Sequence, residues 1–341
     1  MKTKTLALRS GRSLTFTALG TGTAPLGNLF AKIDERTADA TLDAAFATGS
    51  RYFDTAPLYG FGTAERRLGA FWRRKSEDAL ISTKVGRLLK LGERDPALQP
   101  AQWFGVPSRD IVYDYSYDGV MRSFEASLER IGTDRFDILF CHDIDVFTHG
   151  DRETAMAHTH AFLDGGFKAL AELREQGLVD GIGLGVNEWE VCQYVAERAE
   201  IDVCLLAGRY TLLEQEALAS FLPLCEEQGL GIVIGGPFNS GILATGAIPG
   251  ARFNYVPAPQ EVMTRVASIE EVCKRHDVGL VSAALQFPLA HPSVVSIIPG
   301  AVQPAEIEAG RTAIEAPIPP AFWQELKAEG LLRDDAPVPG A

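Results

Sequence analysis

The sequence predicts a (β/α)8 barrel, in which eight parallel strands alternate with helices. Three observations lead to this fold class. Eight short apolar runs are separated by amphipathic segments, most runs are nearly continuous in apolar residues, and the chain of 341 residues is long enough for one large α/β barrel. Strands that are buried on both faces have this continuous apolar character. We therefore expect a single barrel domain over residues 1–341, with an N-terminal β-hairpin and a C-terminal helical tail.

The order of the apolar and amphipathic segments gives the predicted elements. The strand candidates are TFTALGTGT (15–23), SRYFDTA (50–56), DALISTKVG (78–86), FDILFCHD (136–143), DGIGLGVNE (180–188), DVCLLAGRY (202–210), LGIVIGGPF (230–238) and VVSIIPG (294–300). The helix candidates between them include residues 35–49, 63–75, 117–132, 165–177, 188–199, 215–229 and 261–277. Glycine or a cationic last turn ends several of these segments, as is typical of helix C-termini.

Three segments lie outside this alternation. Residues 4–14 have the pattern of a β-hairpin with its turn at Ser10 and Gly11, which would plug one end of the barrel. Residues 316–341 hold one short helix and a Pro-rich end. Residues 87–116 follow the third strand candidate as an unusually long loop, and such loops are more often functional than idle; its aromatic residues include Trp103, Phe104 and Tyr113.

Composition and charge exclude several classes of function. The formal net charge of −13 argues against a nucleic-acid or anionic-membrane binder, since both need a basic surface. The five cysteines form no CxxC pair and lie mostly in apolar runs, which indicates buried thiols in a reducing compartment. No signal-peptide pattern begins the chain, and no apolar run approaches the roughly 18 residues of a membrane-spanning helix. We expect a cytoplasmic protein with a small-molecule substrate and no metal site, as a monomer or weak homo-oligomer.

Polar residues at the ends of the strand candidates indicate an active site, because barrel active sites form where strands end. Asp54 and Tyr59 follow the second candidate, Lys84 ends the third and His142 ends the fourth. A nearby ammonium lowers the pKa of a phenol, so Lys84 would make Tyr59 a proton carrier. Asp54 would pair with Lys84, and His142 would hydrogen-bond a substrate oxygen. This set predicts acid/base chemistry beside a carbonyl or alcohol, as hydride transfer requires.

Each of these four residues has a simpler explanation when taken alone. An aspartate or lysine at such a place is usually an ion-pair partner, a histidine is usually structural, and a tyrosine among glycines can simply pack. Their joint occurrence at the ends of three consecutive strand candidates favours catalysis. Arg209 at the end of the sixth candidate is a further substrate-binding candidate. Trp103 and Phe104 would either cover the apolar face of the substrate or pack within their loop.

Several stretches of the sequence resemble the aldo-keto reductase superfamily over about residues 15–312. This resemblance implies a (β/α)8 barrel that binds a nicotinamide cofactor without a Rossmann fold. It also implies that Asp54, Tyr59, Lys84 and His142 are the catalytic residues. The stretches are GTGTAPLG (20–27), YFDTAPLYGFGTAERRLG (52–69), ISTKVG (81–86), HDID (142–145), GLGVNEWE (183–190), RYTLLEQ (209–215) and SIIPG (296–300).

The same resemblance assigns the cofactor contacts. Asn187 would bind the nicotinamide carboxamide, and the loops after the seventh and eighth strands would hold the pyrophosphate and the adenosine. Gly300 and Glu306 stand where NADP-preferring members place cations, and a carboxylate there would repel a phosphate but accept bonds from a ribose diol. We therefore expect NAD, with NADP possible. The predicted cofactor-binding residues are Gly22, Thr23, Asn187, Pro237, Phe238, Asn239, Ser240, Gly241, Pro299, Gly300, Gln303 and Glu306.

One departure from the superfamily concerns the nicotinamide. Many members stack a tyrosine from the end of the seventh strand on that ring, whereas VIGGPF has no aromatic residue before Pro237.

Within the superfamily, TAPLYGFGTAERRLG and LLAGRYTLLEQ most resemble the aldose 1-dehydrogenases that act on L-fucose, L-galactose and D-arabinose. The predicted activity is oxidation of the C1 hemiacetal of a free aldose to a lactone. Pyridoxal 4-dehydrogenase, which makes a lactone by the same chemistry, is the near alternative. A general aldehyde or ketone reductase and a nicotinamide-binding regulatory subunit are further alternatives, and an aldolase with a Schiff base at Lys84 gives Tyr59 no role.

Overall fold

The structure is a computed structural model that describes residues 1–75, 79–92 and 102–340. Its strands are β1 (Thr3–Ala7), β2 (Ser13–Thr17), β3 (Thr21–Gly22), β4 (Tyr52–Asp54), β5 (Leu80–Val85), β6 (Arg87–Leu91), β7 (Arg109–Tyr113), β8 (Phe136–His142), β9 (Val179–Val186), β10 (Val203–Ala207), β11 (Gly231–Gly235), β12 (Arg252–Phe253), β13 (Val256–Pro257) and β14 (Val294–Ile298). Its helices are α1 (Glu35–Ala47), α2 (Thr63–Lys75), α3 (Tyr117–Ile131), α4 (Val146–His149), α5 (Arg152–Ala161), α6 (Phe167–Glu175), α7 (Trp189–Ala196), α8 (Phe221–Gln228), α9 (Ile242–Thr245), α10 (Gln260–His276), α11 (Leu280–Gln286), α12 (Pro304–Glu315) and α13 (Pro320–Ala328).

A closed parallel barrel forms the centre of the fold. Within the described residues, an eight-stranded sheet has the order β14-β11-β10-β9-β8-β5-β4-β3. Bridges between Leu19 and Ile297 and between Gly22 and Gly300 join its two edges. Helices lie between most successive strands and pack their apolar faces on the outside of the sheet. The predicted (β/α)8 barrel is therefore confirmed.

The strand register brings the predicted active-site residues to one end of the barrel. Parallel pairing sets Gly22 beside Asp54, Asp54 beside Ser82, and His142 beside Gly185. Because all eight strands run in the same direction, their carboxyl ends meet at the same rim. Side chains from distant parts of the sequence therefore converge there.

The opposite end of the barrel is plugged by the predicted hairpin. β1 and β2 pair antiparallel, and their apolar residues belong to the barrel's inner core cluster together with Tyr52 and Phe140. Gly231 has no side chain where Leu6 packs, since a Cβ atom there would lie 2.6 Å from Leu6 Cδ2. The hairpin residues in this cluster are Leu6, Leu8, Leu14 and Phe16.

Two predicted elements differ from the structure. The strand expected at residues 15–23 is divided, because residues up to Thr17 pair within the hairpin and only Thr21–Gly22 form β3. The segment expected to be one long loop, residues 87–116, contains an antiparallel ribbon of β6 and β7, while residues 93–101 lie outside the described part of the chain. Short alternating strands that pair only with each other leave a weak sequence pattern.

Two further expectations, for the cysteines and for the tail helix, are confirmed. All five cysteines are buried free thiols. α13 is the expected helix of the tail. Among the described residues, no helix combines the length and the apolar character needed to span a membrane.

Candidate active site

A buried ion pair lies at the centre of the barrel rim. Lys84 Nζ donates to Asp54 Oδ2 at 2.6 Å and to the Thr55 carbonyl oxygen at 2.9 Å, and both charged side chains are 1% exposed. Ser82 Oγ donates to the other oxygen of Asp54 at 2.7 Å. Burial raises the pKa of Asp54, and the charge of Lys84 opposes that rise. The pair thus holds a cation in the rim without leaving either charge unpartnered.

Tyr59 is held over this pair by a close contact between two backbones. In the turn after β4, a Cβ atom on Gly60 would lie 2.2 Å from the Gly27 carbonyl oxygen, and Gly60 has a φ of +63°. Only glycine satisfies both the space and the left-handed backbone at that position. The turn carries the Tyr59 ring to Lys84, whose Nζ lies 4.7 Å from the ring centroid.

The pKa of Tyr59 is raised well above its ordinary value, chiefly by burial and then by the charges of Asp54 and Asp143. The lowered pKa that the sequence predicts for Tyr59 is therefore wrong in its net direction, although Lys84 does lie next to the ring. Burial disfavours the charged phenolate, and two carboxylates oppose it as well. Tyr59 is a neutral phenol at physiological pH.

His142 completes the predicted set of four residues. Its ring lies edge-on to Tyr59, with 6.1 Å between the ring centroids. Burial, with the cations Arg87 and Lys84, lowers the pKa of His142 well below its ordinary value, so the imidazole is neutral. Its Nδ1 is buried without a hydrogen-bond partner among the described residues. A neutral imidazole at this place is suited to hydrogen-bonding a substrate oxygen.

Two further site residues were given no role in the sequence analysis, although Asp143 was among the polar residues at strand ends. Arg87 and Asp143 form a buried ion pair on the cavity wall. Asp143 Oδ1 also accepts a hydrogen bond of 3.0 Å from Asn187 Nδ2, and Asp143 Oδ2 lies 3.2 Å from His142 Nε2. Burial raises the pKa of Asp143 to about 7, against the opposing charge of Arg87. The sequence offered one signal for each residue: Asp143 directly follows His142, and Arg87 comes three residues after Lys84.

These residues open into a cavity of about 980 Å³. Asp54, Tyr59, Lys84 and His142 all line it. The Trp103 ring is stacked near Tyr59, with 6.3 Å between centroids and 25° between planes. Other aromatic residues in the wall, which the sequence did not single out, are Phe30, Phe147 and Tyr255.

The other two predicted substrate-binding residues lie outside the cavity lining. Phe104 is 43% exposed. Arg209 donates to Asn254 Oδ1 at 3.0 Å, and its guanidinium lies 5.7 Å from the centroid of the Phe147 ring. Arg209 thus contacts two residues that line the cavity, Asn254 and Phe147, without lining it itself.

The predicted pyrophosphate loop forms a concave turn along one side of the cavity. Positive φ values at Gly236, Asn239, Ser240 and Gly241 curve the backbone, and such turns present amide groups to anions. The Asn239 side chain fixes this shape, since its Oδ1 accepts from Thr211 at 2.6 Å and its Nδ2 donates to the Gly208 carbonyl oxygen. The predicted residues of this loop that line the cavity are Pro237, Phe238, Ser240 and Gly241.

The Glu306 carboxylate stabilises the loop after β14. Glu306 is exposed, and its Oε2 accepts from the Val302 amide at 2.8 Å. Gln303 Nε2 lies 3.4 Å from the other Glu306 oxygen. Gly300 lines the cavity beside Gly22, whose amide donates to the Pro299 carbonyl oxygen at 3.1 Å.

Thr23 and Asn187 are the remaining predicted cofactor contacts. Thr23 Oγ1 is buried without a partner in the described residues, next to the cavity-lining Gly22. The side-chain nitrogen Nδ2 of Asn187 donates to Asp143 Oδ1 at 3.0 Å. The Asn187 carbonyl oxygen is therefore the atom left for a ligand amide.

Comparisons with known proteins agree with this architecture. Residues 18–329 match the Aldo/keto reductase family. The chain is 45% identical over 328 residues to pyridoxal 4-dehydrogenase of Microbacterium luteolum, covering 94% of this chain and 95% of that protein. It is 39% identical over 325 residues to D-threo-aldose 1-dehydrogenase of a Pseudomonas species, again covering 94% and 95%.

A solved structure shares the fold. An aldo-keto reductase of Bacillus halodurans in its holo form superposes with a TM-score of 0.75 at 24% identity, covering 98% of this chain and 97% of that one. Together with the family match over most of the sequence, these results show that the chain is an oxidoreductase of the aldo-keto reductase type. The chain belongs to the Aldo/keto reductase family.

Proposed function

We propose that the protein oxidises the C1 hemiacetal of a free aldose, of the L-fucose, L-galactose or D-arabinose type, to a lactone. The observation that carries the proposal is the convergence of four residues in one cavity, with the Tyr59 ring close to both the Lys84 ammonium and the His142 imidazole; the fourth residue is Asp54. A phenol beside an ammonium and a neutral imidazole provides hydrogen-bonding groups for one reacting oxygen. The relative that is 39% identical supports an aldose as substrate.

The described residues fit a nicotinamide dinucleotide, and we propose NAD in preference to NADP. When bound, this cofactor supplies the hydride acceptor. Thr23 Oγ1, which has no partner among the described residues, and the side-chain carbonyl oxygen of Asn187 offer polar contacts. The turn at Gly236–Gly241 offers amide groups for phosphates. Glu306 disfavours a 2′-phosphate at the loop after β14.

The protein's own groups then handle the proton. We propose that His142 donates from Nε2 to the hemiacetal oxygen and fixes its position. The hydroxyl proton passes to Tyr59, which must first lose its own proton. Because burial favours the neutral phenol, the Tyr59 phenolate is a minor species at neutral pH, and Lys84 is the cation next to it. The oxidation should therefore speed up in alkaline solution.

Pyridoxal is a second candidate substrate, which specific observations favour. Its hemiacetal is oxidised by the same chemistry on a flat aromatic ring. The nearly parallel rings of Tyr59 and Trp103 form a wall that suits such a ring. The relative that is 45% identical is a pyridoxal 4-dehydrogenase.

An activity assay of the purified protein with NAD or NADP tests the proposal. L-fucose, L-galactose, D-arabinose and pyridoxal are each supplied, and NADH absorbance and lactone formation are followed. We expect lactone from an aldose with NAD. A preference for pyridoxal over every aldose by about a hundredfold in kcat/KM, or about 2.7 kcal/mol of transition-state preference, would overturn the sugar assignment and leave the hemiacetal chemistry. If neither the aldoses nor pyridoxal reduce the cofactor at any pH from neutral to alkaline, the oxidation of hemiacetals is rejected. Carbonyl reduction or a regulatory binding role then takes its place.

The setting of this activity is part of the proposal. We place a single-domain enzyme in the cytoplasm, acting as a monomer or weak homo-oligomer on a small molecule. The buried free thiols support a reducing compartment.

A further inference from the structure

Arg87 and Asp143 form an ion pair in the cavity wall that the proposed hydride transfer does not use. Both residues are 7% exposed, and both line the cavity beside His142. A charged pair is costly to bury, so its place against the reacting centre requires an explanation. Only one of the two Asp143 oxygens is needed to hold Asn187.

One oxygen of this pair lies beside the atom that would bind the reacting oxygen. Asp143 Oδ2 lies 3.2 Å from His142 Nε2, the atom that would bind that oxygen. Arg87 Nη2 binds this same Asp143 oxygen, and Arg87 Nε has no partner among the described side chains and backbone groups. The guanidinium is kept in place by Tyr113, whose ring centroid lies 5.3 Å from it, and by Thr148.

We propose that the Arg87–Asp143 pair binds the hydroxyl on the carbon next to the reacting carbon of a free aldose, and so determines which sugars are oxidised. Oxygens on adjacent sugar carbons lie about one hydrogen-bond length apart, which matches the separation of His142 Nε2 from Asp143 Oδ2. The inference rests on the proposed sugar oxidation and names the substrate group that this part of the wall recognises.

The chemistry of the pair selects a neutral hydroxyl. A hydroxyl group donates one hydrogen bond and accepts others, so it can donate to Asp143 while it accepts from Arg87. A phosphate or carboxylate at this place would meet the charge of Asp143, and a methylene group would leave both charged groups without a ligand. Removal of the 2-hydroxyl from the substrate should therefore lower the rate of its oxidation.

A substrate pair that differs only at this group gives the test. 2-Deoxy-D-ribose is D-arabinose without its 2-hydroxyl. We measure kcat/KM of both sugars with the wild type, Arg87→Gln and Asp143→Asn, and use the exposed pair of Arg122 and Asp114, with N–O distance 2.6 Å, for the control variant Arg122→Gln. Circular dichroism and NADH fluorescence titration check that each variant folds and binds cofactor.

We expect the wild type and Arg122→Gln to prefer D-arabinose by at least about tenfold. In Arg87→Gln or Asp143→Asn this preference should shrink to within about threefold, mainly through the loss of D-arabinose oxidation. An equal loss for both sugars, or a wild type that does not distinguish them, would overturn the inference and leave the hemiacetal oxidation standing. A wild type that oxidises none of D-arabinose, 2-deoxy-D-ribose, L-fucose and L-galactose would overturn the proposed sugar oxidation itself.

Discussion

The Lys84 ammonium lies 4.7 Å from the centroid of the Tyr59 ring while it donates to Asp54 at 2.6 Å. The cation therefore lies near the aromatic ring and is committed to a carboxylate and to the Thr55 carbonyl oxygen. Burial keeps the phenol neutral despite this neighbour. The site is thus arranged so that ionisation of Tyr59 costs free energy in the protein without substrate.

Tyr59→Phe should lower kcat by at least about a hundredfold, because the variant lacks the proton carrier at the reacting oxygen. Binding of NADH, measured by fluorescence, should stay within about threefold of the wild type, since the hydroxyl is removed without a change in ring size. Turnover within about tenfold of the wild type would reject the role of Tyr59.

Lys84→Met should destabilise the fold by about 3–5 kcal/mol, because it leaves the buried Asp54 without its partner. The double variant Asp54→Asn, Lys84→Met should recover part of this loss, since no charge remains. Urea unfolding measures both free energies. If the double variant is less stable than the single one, the pair does not stabilise by mutual compensation. Residual oxidation by Lys84→Met should need a higher pH than the wild type.

The rate of oxidation should rise with pH. Below the pKa of a base, its active form increases about tenfold per pH unit, and burial has moved the pKa of Tyr59 upward. kcat/KM for the sugar should therefore climb from neutral into alkaline solution. The small residual rate of Tyr59→Phe should lack this climb. A wild-type profile that is flat or falling from pH 7 to about pH 10 would contradict Tyr59 as the base.

The wild type should use NAD with a higher kcat/KM than NADP, and Glu306→Arg should shift the preference toward NADP. Glu306→Gln is the matched variant, because it removes the charge while its side-chain oxygen can still accept from the Val302 amide. We expect an intermediate preference for it. A wild type that favours NADP by about tenfold would show that Glu306 does not control the choice.

Gly60→Ala should lower kcat and stability together. Its new Cβ would lie 2.2 Å from the Gly27 carbonyl oxygen, so the turn that carries Tyr59 must move. Gly11→Ala is the control, since Gly11 also has a positive φ, of +78°, with nothing within 4 Å of the added atom. It should lose about 1–2 kcal/mol of stability without an effect on kcat. Equal kcat in the two variants would mean that the Gly27 contact does not position Tyr59.

The sequence was sufficient to predict the barrel and the convergence of Asp54, Tyr59, Lys84 and His142. Parallel strands place their ends at one rim, so residues at strand ends come together without knowledge of any loop. The role of Arg87 and Asp143 could not be predicted that way, although Asp143 also follows a strand, because it depends on how two side chains meet in the cavity wall. The pKa of Tyr59 was predicted in the wrong direction, since burial acts through the whole enclosure and not through one neighbour.

The aromatic wall was equally hidden. Phe30 and Tyr255 come from loops and Phe147 from the short helix α4, all far apart in the sequence. Tyr255 also has a left-handed backbone that no local sequence pattern indicates. Loop conformation depends on tertiary contacts more than on propensity. For the same reason, the sequence did not show that Phe104 and Arg209 lie outside the cavity lining.

The contact between Gly27 and Gly60 also constrains how this barrel can be re-engineered. Loop grafting between related barrels usually treats each loop after a strand as an independent cassette. Here the backbone after β3 and the backbone after β4 interlock where a side chain on Gly60 would overlap Gly27. A graft that exchanges one of these loops alone would carry a mismatched partner, so the two loops have to be transplanted as one unit for the tyrosine to keep its place.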